Sequence, residues 1–362
     1  MDMVLRTPLG DIAALSWGAD PFQPTAARVL CLHGWLDNAA SFHIFAPLLV
    51  AALGGVTAAS VVAIDLPGHG LSCRFDFYSS GAFAVAVAAS LDVLKWRTAV
   101  LVGHAAGGGV ALIVAGALPE RVVGLALLES PGPPIRDAAS APALLKAAVA
   151  ALSVSLSVGG GGVHESSIIV NNSHEKDRMA TNFEKDRMAP NSVSGSSSVI
   201  AAMKNTPLSE AAAITARVGL SAALPGRQCL SNAAAALLIS RSLSTRSLPG
   251  PGPGGAPGWS PATFHWRHDV NLCNPTVSPL GENEVLAFLS SVAASRVPVL
   301  SLRAQSGQPF DGAILSRRLE VLRPVLHRLS LPGGHHFHLD ALSAPDVASG
   351  VAEFLSRGFA LG

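Results

Sequence analysis

The chain has 362 residues, 49% of them hydrophobic and 14% charged, with a formal net charge of +1. That is enough apolar material for one large core plus an accessory region, and the near-zero charge excludes electrostatic capture of nucleic acid or of an anionic membrane surface. Cys31, Cys73, Cys229 and Cys273 are scattered without CxxC spacing, so they read as small hydrophobes in a reducing, intracellular and cytoplasmic setting.

In chain order, strand-like runs at Ala27–Leu32, Ser60–Ile64, Ala99–Val102 and Val123–Leu128 alternate with helix-like runs at Ala39–Ala52, Ala82–Leu94 and Gly108–Leu118. Such alternation predicts a mostly parallel sheet covered by helices, with ligands in the loops that follow the strands. The opening residues lack the basic and apolar regions of a secretory leader. Residues 99–118 form an uncharged run of about transmembrane length, but internal glycines and a central His favour strand-turn-helix over a membrane span.

From about residue 153 the character changes. Gly159–Gly162, Ser192–Ser198 and the Pro/Gly run 249–258 read as flexible or turn-rich loops, and HEKDRMATN followed by FEKDRMAPN is a short tandem duplication in residues 174–191. Helical patterns at Ser209–Val218 and Ser231–Ser242 lie between these loops. The style of the first third then returns, with strands at Val297–Leu302 and His327–Leu331 and helices at Leu315–Leu322 and Ala344–Leu355. The predicted organisation is a core in two parts, 1–140 and 286–362, with a helical cap at 141–285 swollen by loop insertions.

The run LVGHAAGGGVAL, residues 101–112, is a strand that feeds a helix through a tight turn. In the GxSxG form of that turn the central residue projects a nucleophile from strained backbone. Here the spacing reads Gly103-His104-Ala105-Ala106-Gly107, without the serine. Alanine keeps the serine's Cβ and nearly its volume, so the turn can still form. No Ser, Thr or Cys lies between Thr98 and Ser130 to replace it. Gly107-Gly108-Gly109 is followed by Val, which excludes a phosphate-binding P-loop. Trp266, Arg267, His268 and Asp269 read as packing between cap and core, and Tyr78, the only tyrosine, carries no argument.

Four landmarks in fixed order, His33-Gly34-Trp35, Asp65-Leu66-Pro67-Gly68-His69-Gly70, the elbow at 103–107 and Pro332-Gly333-Gly334-His335-His336-Phe337-His338, resemble the α/β-hydrolase fold. The stretches HGWLDNAASF, LPERVVGLALLESPGPP and PGGHHFHLD look like its serine hydrolase-like branch. The resemblance implies cofactor-free hydrolysis of an ester or similar acyl bond on a small apolar substrate. It places the Trp35 and Ala106 amides in an oxyanion hole, the nucleophile position at Ala105 and the base at His335, with His33, Gly34 and His104 beside the bound substrate. The acid is Glu129 by preference, after the strand Val123–Leu128, or Asp311 in the loop after Val297–Leu302. No metal is expected, because no carboxylate or Cys stands at ligand spacing from the His run 335–338. With Ala105 in place, three readings stay open: a catalytically lost scaffold that binds a ligand or partner, dyad chemistry by His335 and an acid without a covalent intermediate, or an introduced Ser→Ala exchange.

Overall fold

The computed structural model describes residues 1–24, 27–135, 138–143, 145–146, 209–223, 230–246, 249–251, 257–259, 263–273 and 280–357. The glycine run at 159–162, the serine run at 192–198 and the duplication at 174–191 lie outside the described residues.

The core elements are β1 (Asp2–Thr7), β2 (Gly10–Gly18), β3 (Ala27–Leu32), α1 (Phe45–Ala52), β4 (Ala59–Ile64), α2 (Ser80–Val93), β5 (Ala99–His104), α3 (Ala106–Ala117) and β6 (Val122–Leu128). Between them and the closing elements come α4 (Glu210–Ala223), α5 (Asn232–Ser242), β7 (Leu243–Arg246), β8 (Pro249–Pro251), β9 (Pro257–Trp259) and β10 (Thr263–Trp266). The chain closes through α6 (Glu282–Ala294), β11 (Val299–Ser306), α7 (Gly312–Leu322), β12 (Leu326–Gly334) and α8 (Ala344–Ser356).

The main sheet has eight strands in the order β1-β2-β4-β3-β5-β6-β11-β12. It is parallel from β4 to β12, and the β1–β2 hairpin adds antiparallel strands at one edge. Alternation along the strands sorts side chains between its faces. Leu30, Leu32, Leu101, Leu125 and Leu127 pack under α2, α3 and α6, whereas Val29, Cys31, Val100, Val102 and Leu128 pack under α1 and α8. With both faces covered, the central strands carry near-continuous apolar runs such as the fully buried Ala59–Ile64. Side-chain oxygens of Ser79 and Ser231 accept from the amides of Ala82 and Ala234 and so fix the starts of α2 and α5.

Three expectations change. The edge hairpin β1–β2 was not foreseen. Pro249–Pro251, expected as loop, pairs with Pro257–Trp259, and β7 pairs with β10, so the described part of the cap is helical with short two-stranded sheets rather than helical alone. A boundary at 285/286 would also cut α6, whose Val285, Leu289 and Val292 belong to the core. The second core segment therefore begins before Glu282. Residues 99–118 fold as β5 and α3, and no helix among the described residues is long and apolar enough to cross a membrane.

The β5–α3 crossing depends on glycine at two places. A Cβ on Gly107 would stand 2.2 Å from the Leu32 carbonyl oxygen, and one on Gly103 would stand 2.4 Å from the Cα of Gly108. Gly107→Ala should destabilise the chain by about 3 kcal/mol, read as a lowered urea midpoint, because backbone on both sides blocks relaxation. Gly81→Ala, whose nearest neighbour would be Ser79 Oγ at 3.8 Å, should leave the midpoint unchanged or raise it.

Candidate active site

The site collects at the carboxyl ends of β3, β5, β6, β11 and β12. Ala105 sits between β5 and α3 with φ 48° and ψ −114°, a conformation costly for any residue with a Cβ. Its N–H donates to the carbonyl of Leu128 at 2.9 Å, which ties the turn to the end of β6. Leu36 (φ 60°), next to Trp35, and Glu129 (φ 50°) are also held in the left-handed region. Three strained non-glycine residues thus stand on three of the loops that build one site.

Glu129 is fully buried and its carboxylate is saturated. Oε1 accepts from Arg303 Nε at 3.0 Å and from the Ala304 amide at 2.8 Å, and Oε2 accepts from the Gln308 amide at 2.9 Å. His335 Nδ1 lies 3.5 Å from Oε2. Burial pushes the carboxyl upward, but His335, Arg303 and the Ala304 amide outweigh it and hold the group below its ordinary value. Asp311 does not join this pair. Its Oδ1 accepts from the amides of Ala313 and Ile314 at 2.9 and 3.0 Å, so it caps α7. Arg303, which nothing in the sequence singled out, binds Glu129 with Nε and the Gln308 carbonyl with Nη2, and its guanidinium lies 4.1 Å above the Phe310 ring.

Of the residues expected beside substrate, His33 has another task. Its Nδ1–H donates to the Gly34 carbonyl at 2.7 Å and its Nε2 accepts the Leu66 amide at 2.9 Å, so the buried ring ties the β3 loop to the β4 loop and keeps no nitrogen for a ligand. His104 is also fully buried, with Nε2 2.9 Å from the carbonyl oxygen of His335. Its ring lies 4.6, 5.2 and 4.2 Å from those of His335, His336 and His338. Burial first, and then repulsion among the neighbouring imidazoles, holds His104 well below its ordinary value, so the ring is neutral. Asp37 stands against this group. Burial opposes its charge, but the ion pair with Arg217 from α4 and the nearby His336 keep its carboxyl well below the usual range.

Further buried ties hold the cap over these loops. Arg241 of α5 donates to Asp65 Oδ2 at 2.8 Å, Asn38 Nδ2 donates to the Leu238 carbonyl at 2.8 Å, and the Tyr78 hydroxyl donates to Asp269 at 2.8 Å. Asp65 also accepts the amides of Ala39 and Leu71, which makes its loop a structural hub. Arg217, Arg241 and Tyr78 escaped sequence reasoning because their partners are distant in the chain. A cavity of about 450 Å³ lined by Ala293, Arg296, Pro298, Pro324, Val325 and His327 opens at the opposite end of the strands and has no part in this site.

A parallel sheet with a strained turn after one central strand, a buried carboxylate after the next and a histidine after the last defines an α/β hydrolase. The sequence profile of the α/β hydrolase fold family matches residues 27–153. A serine hydrolase-like protein of Dictyostelium discoideum is 26% identical over 355 residues, 95% of this chain and 78% of that one. The human serine hydrolase-like protein is 38% identical over 133 residues, 36% of this chain and 61% of that one, so the match spans less than two thirds of its length. A solved hypothetical protein from Pseudomonas aeruginosa superposes with a TM-score of 0.66 at 28% identity, covering 98% of this chain and 99% of that one. The chain has the α/β-hydrolase fold and is similar to serine hydrolase-like proteins.

The lowered pKa of Glu129 fixes the sign of a pH effect. Its stabilising contribution is complete above its ordinary value of 4.5 and is lost as pH falls through the lower folded value. Glu129→Gln should therefore cost about 1.5–3 kcal/mol near neutral pH. The gap between native and variant urea midpoints should narrow as the pH is lowered below 4.5.

Proposed function

We propose that this chain is a serine hydrolase-like scaffold that recognises a small apolar acyl compound and whose covalent hydrolysis is lost or very weak. The observation that carries this reading is Ala105, which keeps the strained geometry of a nucleophile elbow at φ 48° without a nucleophilic atom. The surroundings are those of an acyl-transfer site. Glu129 faces His335 Nδ1, which leaves Nε2 as the ring nitrogen for a proton from an attacking group. In this reading the Trp35 and Ala106 amides are the donor pair for an oxyanion. Asp311, committed to the cap of α7, drops out as the acid. No metal or cofactor takes part in this acyl chemistry, and His335 with Glu129 suffices as base and orienting group.

Ala105→Ser is the decisive variant. It should take up a fluorophosphonate probe, seen as a mass increase on the intact protein, and hydrolyse short nitrophenyl esters at least about 10³-fold faster than the native chain. Ala105→Ser combined with His335→Ala should do neither. Robust ester turnover by the native chain that disappears in His335→Ala would overturn the loss of catalysis. A folded Ala105→Ser that stays unlabelled would overturn the assignment of the acyl site.

A further inference from the structure

Beside the acyl site lies a second constellation that hydrolysis leaves unused. Asp37, His104 and His336 each direct one ligand atom to a shared buried point, with those atoms all within 4.8 Å of one another. Asp37 Oδ2 lies 3.7 Å from His104 Nδ1 and 3.4 Å from His336 Nε2. A tetrahedral ion with bonds of about 2.0–2.1 Å to N and O holds its ligand atoms about 3.3–3.4 Å apart, so these two edges are near that spacing.

Protons do not account for the arrangement. A carbonyl oxygen only accepts, so the 2.9 Å contact to the His335 carbonyl requires the hydrogen of His104 on Nε2. With that hydrogen on Nε2, His104 Nδ1 lies 3.7 Å from Asp37 Oδ2, beyond hydrogen-bond reach. His104 Nδ1 and both ring nitrogens of His336 are buried without a hydrogen-bond partner. His336 Nε2 lies 3.4 Å from Asp37 Oδ2. Buried ring nitrogens without a hydrogen-bond partner beside a carboxylate are what a cation can satisfy together. Arg217 occupies Asp37 Oδ1 and so fixes the carboxylate with Oδ2 turned to the point, the role of an outer-shell partner. Gly34 keeps the place clear, since a Cβ there would stand 3.0 Å from both Asp37 Oδ2 and His104 Nδ1.

We propose that Asp37, His104 and His336 form a binding site for a divalent transition-metal ion of the Zn²⁺ class, with a fourth position left for water. The donor set, two imidazoles and one carboxylate, suits Zn²⁺ and its neighbours over Ca²⁺ or Mg²⁺, which favour all-oxygen shells. The expectation of no metal rested on spacing along the chain, whereas here the carboxylate comes from the loop after β3 and one imidazole from the end of β5.

The test uses the full chain, stripped with a chelator and dialysed against excess Zn²⁺, with bound metal read by elemental mass spectrometry. The native chain should retain about one equivalent and, loaded with Co²⁺, show the intense visible absorption of a tetrahedral site. His336→Gln should bind at least about a hundredfold more weakly and lose that spectrum, while His43→Gln, at an exposed histidine outside the cluster, keeps both. Long-range ¹H–¹⁵N spectra of the native chain supply a readout that needs no variant. On titration with Zn²⁺ the resonances of His104 Nδ1 and His336 Nε2 should shift. Failure of the native chain to retain Zn²⁺, unaltered binding by His336→Gln, or no shift at those two nitrogens overturns the proposal. None of these readouts uses ester turnover, so the site stands or falls apart from the acyl reading.

Discussion

The site hangs on one backbone hydrogen bond, from the Ala105 amide to the Leu128 carbonyl at 2.9 Å. It lets the chain leave β5 in a conformation that an isolated alanine would reject, and the neighbouring Glu129 amide repeats the device on the Leu302 carbonyl at 2.9 Å. Together these bonds set the turn after β5 and the carboxylate after β6 at fixed offsets along the sheet. The strain is sustained because β5 and β6 are buried throughout their length or nearly so, and cannot slide without exposing apolar surface.

Around this fixed frame, three buried carboxylates are each matched by an arginine. Glu129 has Arg303, Asp37 has Arg217 and Asp65 has Arg241. The last two pairs join the core to cap helices far along the chain, so they orient the cap through ion pairs rather than through apolar contact alone. Breaking one partner would leave an uncompensated buried carboxylate, a change that typically costs 3–5 kcal/mol. The cap arginines therefore shape the site without standing in it.

The histidines show how differently one residue type behaves on one sheet end. His33 has both ring nitrogens engaged by backbone and serves the fold. His335 faces Glu129, the pair on which the proposed acyl chemistry rests. His104 and His336 face Asp37 at 3.7 and 3.4 Å. What the second ring nitrogen meets decides whether a histidine braces the fold or keeps a nitrogen for chemistry.

Much of this was legible in the sequence. Ala27–Leu32 was read at its observed limits, and Ala105, Glu129 and His335 were placed after the strands observed as β5, β6 and β12, because local apolar periodicity and glycine punctuation are properties of adjacent residues. The edge hairpin was missed, since an outer pair of strands carries a weaker apolar signal than the buried ones. The choice between Glu129 and Asp311 needed coordinates: the sequence offers two loop carboxylates, and only the register of β6 against β11 sets one against His335 and leaves the other on a helix terminus. In the same way Asp37 and His336, nearly three hundred residues apart in the sequence, become neighbours at 3.4 Å. Sequence alone determined the central parallel strands and the tight turn at Ala105, which are encoded by neighbouring residues. Tertiary structure decided which carboxylate meets which histidine, because that depends on contacts between loops that no spacing along the chain specifies.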